Sequence, residues 1–199
     1  APPVMGSRST NLSSKFGGFR GRPLQKGDIL SSQSPHLHLK AAGRAFDPEW
    51  VPTYPEEWLL RVVSGPQQDH FTEEARHLFL SALFKVTSQS DRTGIRLAGP
   101  VIERKKGREE SIISEGVVSG AIQVPGDGQP IIILGETVTG GYRKIATVIS
   151  VDLPLLGQMK PEEGVRFHEV TMDEACQALR EVEDRVRRFR EAVTTAKAL

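Results

Sequence analysis

The sequence predicts a mainly β chain, a barrel or sandwich with a few helices, and three observations predict it. From residue 84 to residue 150, short β-rich segments follow one another, each closed by Gly, Pro or Asp. Apolar residues recur at helical spacing in two stretches, one after Thr72 and one after Thr171. The first fifty or so residues are rich in turn formers.

In order along the chain, "GSRSTN", "FGGFRGR" and "KGD" punctuate the start, and "AFDPEWVPTYPEEW" stacks three prolines near two Trp and one Tyr. Proline at that density disfavours helix interiors and central strands, so this part reads as an ordered edge or a lid over the core. "WLLRVVSG" at 58–65 has the β-branched content of a strand. Thr72 is an N-cap, Glu73 and Glu74 suit the positive end of a helix dipole, and Ala75, Leu78, Phe79 and Ala82 fall on one helical face. The strand candidates that follow are "FKVTSQ", "GIRLAG", "SIIS", "GAIQVP", "PIIILG" and "KIATVIS". A C-terminal helix is expected at about 171–195, opened by a capping box of Thr171 and Glu174. Its stripe of Cys176, Leu179, Val182, Val186, Phe189 and Val193 reads as a face docked on the barrel, ahead of a partner helix or short coiled coil.

Composition narrows the function classes. Lys plus Arg is 26 and Asp plus Glu is 25, with no uninterrupted basic run, so the electrostatic footprint of a nucleic-acid binder is missing. "ERKKGREE" at 103–110 neutralises itself and reads as a solvated hairpin tip. One cysteine, Cys176, leaves no internal disulfide and no thiolate zinc site and fits a reducing compartment. No apolar run approaches the roughly 18 residues of a spanning helix and no signal peptide leads the chain, so a soluble cytoplasmic protein is expected, without membrane contact. The start, "APPVMGSRST", has no initiator Met and reads as a piece of a longer chain.

Single motifs decide little. A Walker-type Gly-x-x-x-x-Gly-Lys-Ser/Thr is absent. "GGFRGR" sets Arg20 and Arg22 among glycines, which suits an anion or a simple turn. His36 and His38 in "PHLHLK" share a face if extended, but nothing beside them completes a metal site, so no metal is expected. Cys176 is a small hydrophobe rather than a nucleophile. "SDRTGIR" gathers Asp91, Arg92 and Arg96 about a glycine, either to meet a carboxylate or carbonyl ligand or as a surface pair. "TGGY" at 139–142 lets backbone approach a ligand, or simply turns.

The ordered series carries more than its members. "GSRST" (6–10), "FGGFRGRPLQKGD" (16–28), "SDRTGIRLAGP" (90–100), "SEGVVSGAIQVPGDGQPIII" (114–133) and "TGGYRKIATVI" (139–149) closely resemble the KipA family, also called allophanate hydrolase subunit 2, the 5-oxoprolinase C subunit or biotin-dependent carboxyltransferase. The resemblance implies a cyclophilin-like β-barrel over 1–199, without the family's N-terminal segment. It also implies pairing with a KipI-type (allophanate hydrolase subunit 1) partner. With a third subunit, such proteins form a bacterial 5-oxoprolinase that opens 5-oxoproline to glutamate using ATP. Two alternatives come with it: carboxyl transfer from carboxybiotin to urea or a related amide, which brings biotin as a cofactor, and a non-catalytic regulator that binds a KipI-type kinase inhibitor. "ETVTGGYRK" departs from the family's commoner form in having Val138 and Arg143 where Thr and Pro are usual.

A small cyclic amide or urea presents an N–H and a polarised carbonyl, which call for a carboxylate acceptor and a cationic or N–H donor. On that chemistry the catalytic candidates are Asp127, fixed on the Pro-Gly-Asp-Gly turn to accept the N–H, Arg92 for the carbonyl or a transferred carboxyl, and Glu115 as a second acid. Gln123 and Gln129 are expected to orient substrate, with Gly140, Gly141, Tyr142 and Arg96 completing the binding site. The competing reading of Asp127 is an ordinary turn in which the side chain bonds its own backbone.

Overall fold

A computed structural model describes residues 1–31, 53–107, 111–135 and 137–195. The chain divides into two compact units, Ala1–Pro52 and Thr53–Leu199, where the sequence reading treats 1–199 as one domain. "PHLHLK" and the first part of "AFDPEWVPTYPEEW" lie outside the described residues.

In the first unit, β1 (Thr10–Asn11) and β2 (Phe16–Gly17) form a small antiparallel hairpin. One arginine of the "GGFRGR" segment is already paired. The Arg22 guanidinium makes two bonds to the Asp28 carboxylate, at 2.7 and 2.8 Å, and lies 5.1 Å from the centre of the Phe19 ring. The guanidinium and the Gln25 N–H, 2.7 Å away, hold the Asp28 carboxyl down to about 2.

The second unit is a closed barrel. Its strands are β3 (Glu57–Ser64), β4 (Phe84–Val86), β5 (Gly94–Ala98), β7 (Ala121–Val124), β8 (Ile131–Ile133), β10 (Arg143–Val148) and β11 (Gly164–Glu169), in the order β10-β3-β11-β4-β5-β8-β7. Neighbours are antiparallel except β3 and β11, which run parallel. The alternation in β3 sends Trp58, Leu60 and Val62 inward. The sequence reading omits β11, because "GVRFHE" has only two inward residues, Val165 and Phe167, among polar ones.

Helix α1 (Glu73–Ser81) begins as expected, with Thr72 Oγ1 accepting from the Ala75 N–H at 3.1 Å. It delivers Phe79 to the core, stacked on Phe167 at 4.4 Å between centroids, with Phe84 at 5.9 Å from Phe167. A short α2 (Leu153–Leu156) follows buried Asp152, whose carboxylate accepts from the Arg61 backbone N–H at 2.9 Å and from the Arg61 guanidinium. "SIIS" at 111–114 forms no strand, and Ile113 is exposed; the pairing falls instead to β6 (Glu115–Gly116) with β9 (Thr139–Gly140), a two-stranded ribbon.

The final helix, α3 (Met172–Thr195), opens with the Thr171–Glu174 box. Glu174 accepts from the Thr171 N–H at 2.7 Å, and Thr171 Oγ1 accepts from the Glu174 N–H at 3.2 Å. The docking expected of its stripe does not extend along it: Ala178 is buried, whereas Leu179, Val182 and Val186 are exposed. Among the described residues no helix is long and apolar enough to cross a membrane.

Candidate functional site

Strand β7 positions the site. Its four residues are all buried, because each face of the strand is covered. Ile122 and Val124 join the main core, and the two-residue period turns Ala121 and Gln123 the other way. On that side Ala121 packs in a smaller cluster with Val117 and Ile133. Gln123 is 4% exposed there, and its Nε2 has no hydrogen-bond partner.

A cavity of about 400 Å³ opens on this face. Asp91, Thr93 and Arg96 line it from the β4–β5 turn and β5, Ile131 and Ile133 from β8, and Thr139, Gly140, Gly141 and Tyr142 from the ribbon and the turn after it. Gly140 lies close against this amide: a Cβ there would stand 2.5 Å from Gln123 Nε2 and 3.2 Å from Val117, so a side chain would displace the amide. The Asp91 carboxylate is held below its ordinary range by the Thr93 and Gly94 backbone N–H groups, with a smaller contribution from Arg96. It thereby fixes the turn that presents Arg96.

Beside Gln123, paired with it across the sheet, lies Lys144. Its buried ammonium contacts Glu115 of the ribbon. Gln67 ties the two together, donating to Glu115 at 2.7 Å and accepting from the Lys144 backbone N–H at 3.0 Å. Lys144 and then Gln67 hold the Glu115 carboxyl below its usual range. Sequence reasoning passes over Lys144. Its one signal is placement two residues after the Gly-Gly-Tyr turn, in a strand that faces β7.

Five of the nine predicted site residues, Arg96, Gln123, Gly140, Gly141 and Tyr142, therefore line one cavity, and four do not. Asp127 is exposed and its Oδ1 accepts from the Gln129 N–H at 3.0 Å, the self-bonded turn. Gly128, at φ +74, shapes that turn. The Gln129 amide is used on both sides, accepting from the Gly99 N–H at 2.9 Å and donating to the Gly99 carbonyl at 3.2 Å. Arg92, exposed on the Asp91 turn, is outside the lining, as is Glu115 of the ribbon, which contacts Lys144. Gly126 and Gly128 instead border a separate cavity of about 400 Å³ with Arg104, Lys105 and Arg143. Arg143, where the family commonly has proline, is buried and donates from Nε to His70 Nδ1 at 3.0 Å.

The family profile "Carboxyltransferase domain, subdomain A and B" matches residues 1–169. This chain belongs to that family. Within it, the chain is 34% identical to the 5-oxoprolinase C subunit of Escherichia coli over 179 residues, covering 89% of this chain and 55% of that protein. Identity to the corresponding 5-oxoprolinase subunit of Haemophilus influenzae is 32%, covering 94% and 59%. A urea amidolyase of Lachancea kluyveri is 34% identical, over 92% of this chain and 11% of the relative. Among solved structures, the Kluyveromyces lactis urea carboxylase superposes with a TM-score of 0.72 at 28% identity, over 92% of this chain and 18% of that one. The chain thus spans little more than half the length of the two 5-oxoprolinase subunits it matches. It carries the barrel architecture of the carboxyltransferase family.

Proposed function

We propose that this chain provides the substrate-receiving wall of an ATP-dependent 5-oxoprolinase assembly, together with a KipI-type subunit and a third subunit. The observation that carries the reading is the cavity beneath β9, where a buried amide N–H of Gln123 lacks an acceptor and the Arg96 guanidinium lines the same sheet face, two strands away across Ile131. A buried unpartnered donor costs about 1–3 kcal/mol, which a ligand carbonyl would recover. 5-Oxoproline is a lactam bearing a carboxylate. Its carbonyl suits Gln123, its carboxylate suits Arg96, and its ring carbons suit Ile131, Ile133 and Tyr142. In the overall reaction the lactam C–N bond breaks, water supplies oxygen to the carbonyl carbon and a proton to nitrogen, and ATP is consumed by the assembly. The similarity to two bacterial 5-oxoprolinase subunits supports this substrate over others.

A second reading has its own support, the likeness to urea amidolyase and urea carboxylase: carboxyl transfer from carboxybiotin to urea or a related amide. It uses the same cavity, with the amide carbonyl on Gln123 and Arg96 facing the carboxyl in transfer. Biotin would supply the activated carboxyl group in that case.

The deciding experiment co-expresses the full-length parent with its partner subunits and follows ATP-dependent release of glutamate from 5-oxoproline, with and without this subunit. Release that requires the subunit supports the reading. A stable complex that releases none overturns it, and carboxyl transfer to urea is then measured. In the same assay Asp127→Asn, Arg92→Gln and Glu115→Gln test the three catalytic assignments, and unchanged turnover in a variant removes that residue from the chemistry.

A further inference from the structure

Helix α3 lies beyond the matched residues 1–169 and carries an apolar seam. Met172, Ala175, Leu179, Val182, Val186 and Phe189 follow one another at steps of 3, 4, 3, 4 and 3, the a/d spacing of a coiled coil. Leu179, Val182 and Val186 are 41, 43 and 43% exposed. A helix draws most of its stability from packing its apolar face. Here Ala178 is buried at the helix start, and the three larger side chains that follow on the seam stand in solvent.

The charge pattern says what fits that seam. Residues 172–184 hold five carboxylates against Arg180 alone, and residues 185–192 hold four arginines against Glu191 alone. An antiparallel second helix of the same sequence sets the acidic half of each beside the basic half of the other, whereas a parallel one sets like against like. A two-fold axis across the helix therefore makes the surface its own complement. The Arg187–Asp184 pair at the boundary, 2.7 Å and exposed, is weak enough to exchange partners. We infer that the α3 seam of this chain docks on α3 of a second copy as a short antiparallel coiled coil.

The test is sedimentation of the full chain from micromolar to sub-millimolar concentration. A concentration-dependent monomer–dimer equilibrium is expected. Leu179→Glu combined with Val186→Glu weakens association roughly tenfold or more, because both charges enter the seam, with the barrel's circular dichroism unchanged. Two surface variants make the result independent of that pair: one with Arg187, Arg188 and Arg190 each changed to Glu, the other with Glu181, Glu183 and Asp184 each changed to Lys. Each alone stays monomeric, and an equimolar mixture dimerises. A wild-type chain that is monomeric throughout overturns the inference and leaves the seam to a different partner. Dimerisation unaffected by the seam or charge variants overturns it as well, by placing the interface elsewhere.

Discussion

Gln123 is the residue on which the site turns. Replacing it with Met keeps the volume and removes the donor, so under the proposed function kcat/KM of the assembly for 5-oxoproline should fall roughly 10- to 100-fold, while the thermal midpoint holds or rises because an unpartnered buried donor is gone. Gly140→Ala places a methyl 2.5 Å from the same Nε2, so it should reproduce the catalytic loss by displacing the amide. Measured KM and kcat for the two variants should change in parallel. Glu115 gives a pH prediction. Its folded carboxyl titrates below the ordinary 4.5 because of Lys144 and Gln67, so the stability it contributes is complete above 4.5 and is lost as pH falls through the lower folded value. Glu115→Gln should lower the melting temperature at neutral pH, by leaving buried Lys144 without its counter-ion, and should flatten this acid-side slope. At this scale the chemistry and glycine pattern of the sequence pointed to Gln123 and the Gly140–Tyr142 turn, which the structure sets around one cavity. For Asp127 the sequence left two readings, since Pro-Gly-Asp-Gly reads alike whether the carboxylate meets a ligand or its own Gln129 N–H, and the structure shows the latter bond.

At the scale of elements, caps and periodicity were the reliable signals, because both are local. Thr72 and the Thr171–Glu174 box start helices at the expected positions. Thr171→Ala should cost about 0.5–2 kcal/mol through loss of the α3 cap, read as decreased helicity of the C-terminal segment by amide exchange. The turn at residues 22–28 that follows the hairpin should loosen only in strong acid, since Asp28 titrates at about 2: its ion pair with Arg22 is complete above the unfolded carboxyl value and lost as pH falls through about 2. NMR shifts of Phe19 and Gln25 would follow that titration. Elements whose pairing is remote were poorly legible. β11 presents only Val165 and Phe167 inward, and its parallel partner β3 lies about a hundred residues earlier, so no local turn announces the pair. "SIIS" resembles a strand in its β-branched content, yet it makes one backbone bond, Ile112 N–H to the Gly141 carbonyl at 2.7 Å, and no ladder, and the ribbon forms one residue later.

At the scale of the molecule, barrel closure through β7 and β10 brings Gln123 and Lys144 side by side, and the β6–β9 ribbon then covers them. The core that supports this is the aromatic group of Phe79, Phe84 and Phe167. Phe167→Ala should destabilise the chain by about 3–5 kcal/mol, seen as a lower denaturant midpoint; a loss below about 1 kcal/mol would show that the group does not anchor the barrel. The sequence by itself determined the β-rich class, the helix starts and the family, because caps, turns and motif order are written in neighbouring residues. The tertiary structure alone decided which polar groups face one cavity, that Lys144 is buried against Glu115, and that Leu179, Val182 and Val186 of α3 are exposed. Those depend on strand register and barrel closure, which join residues far apart in the chain and turn each strand's alternate side chains to opposite faces.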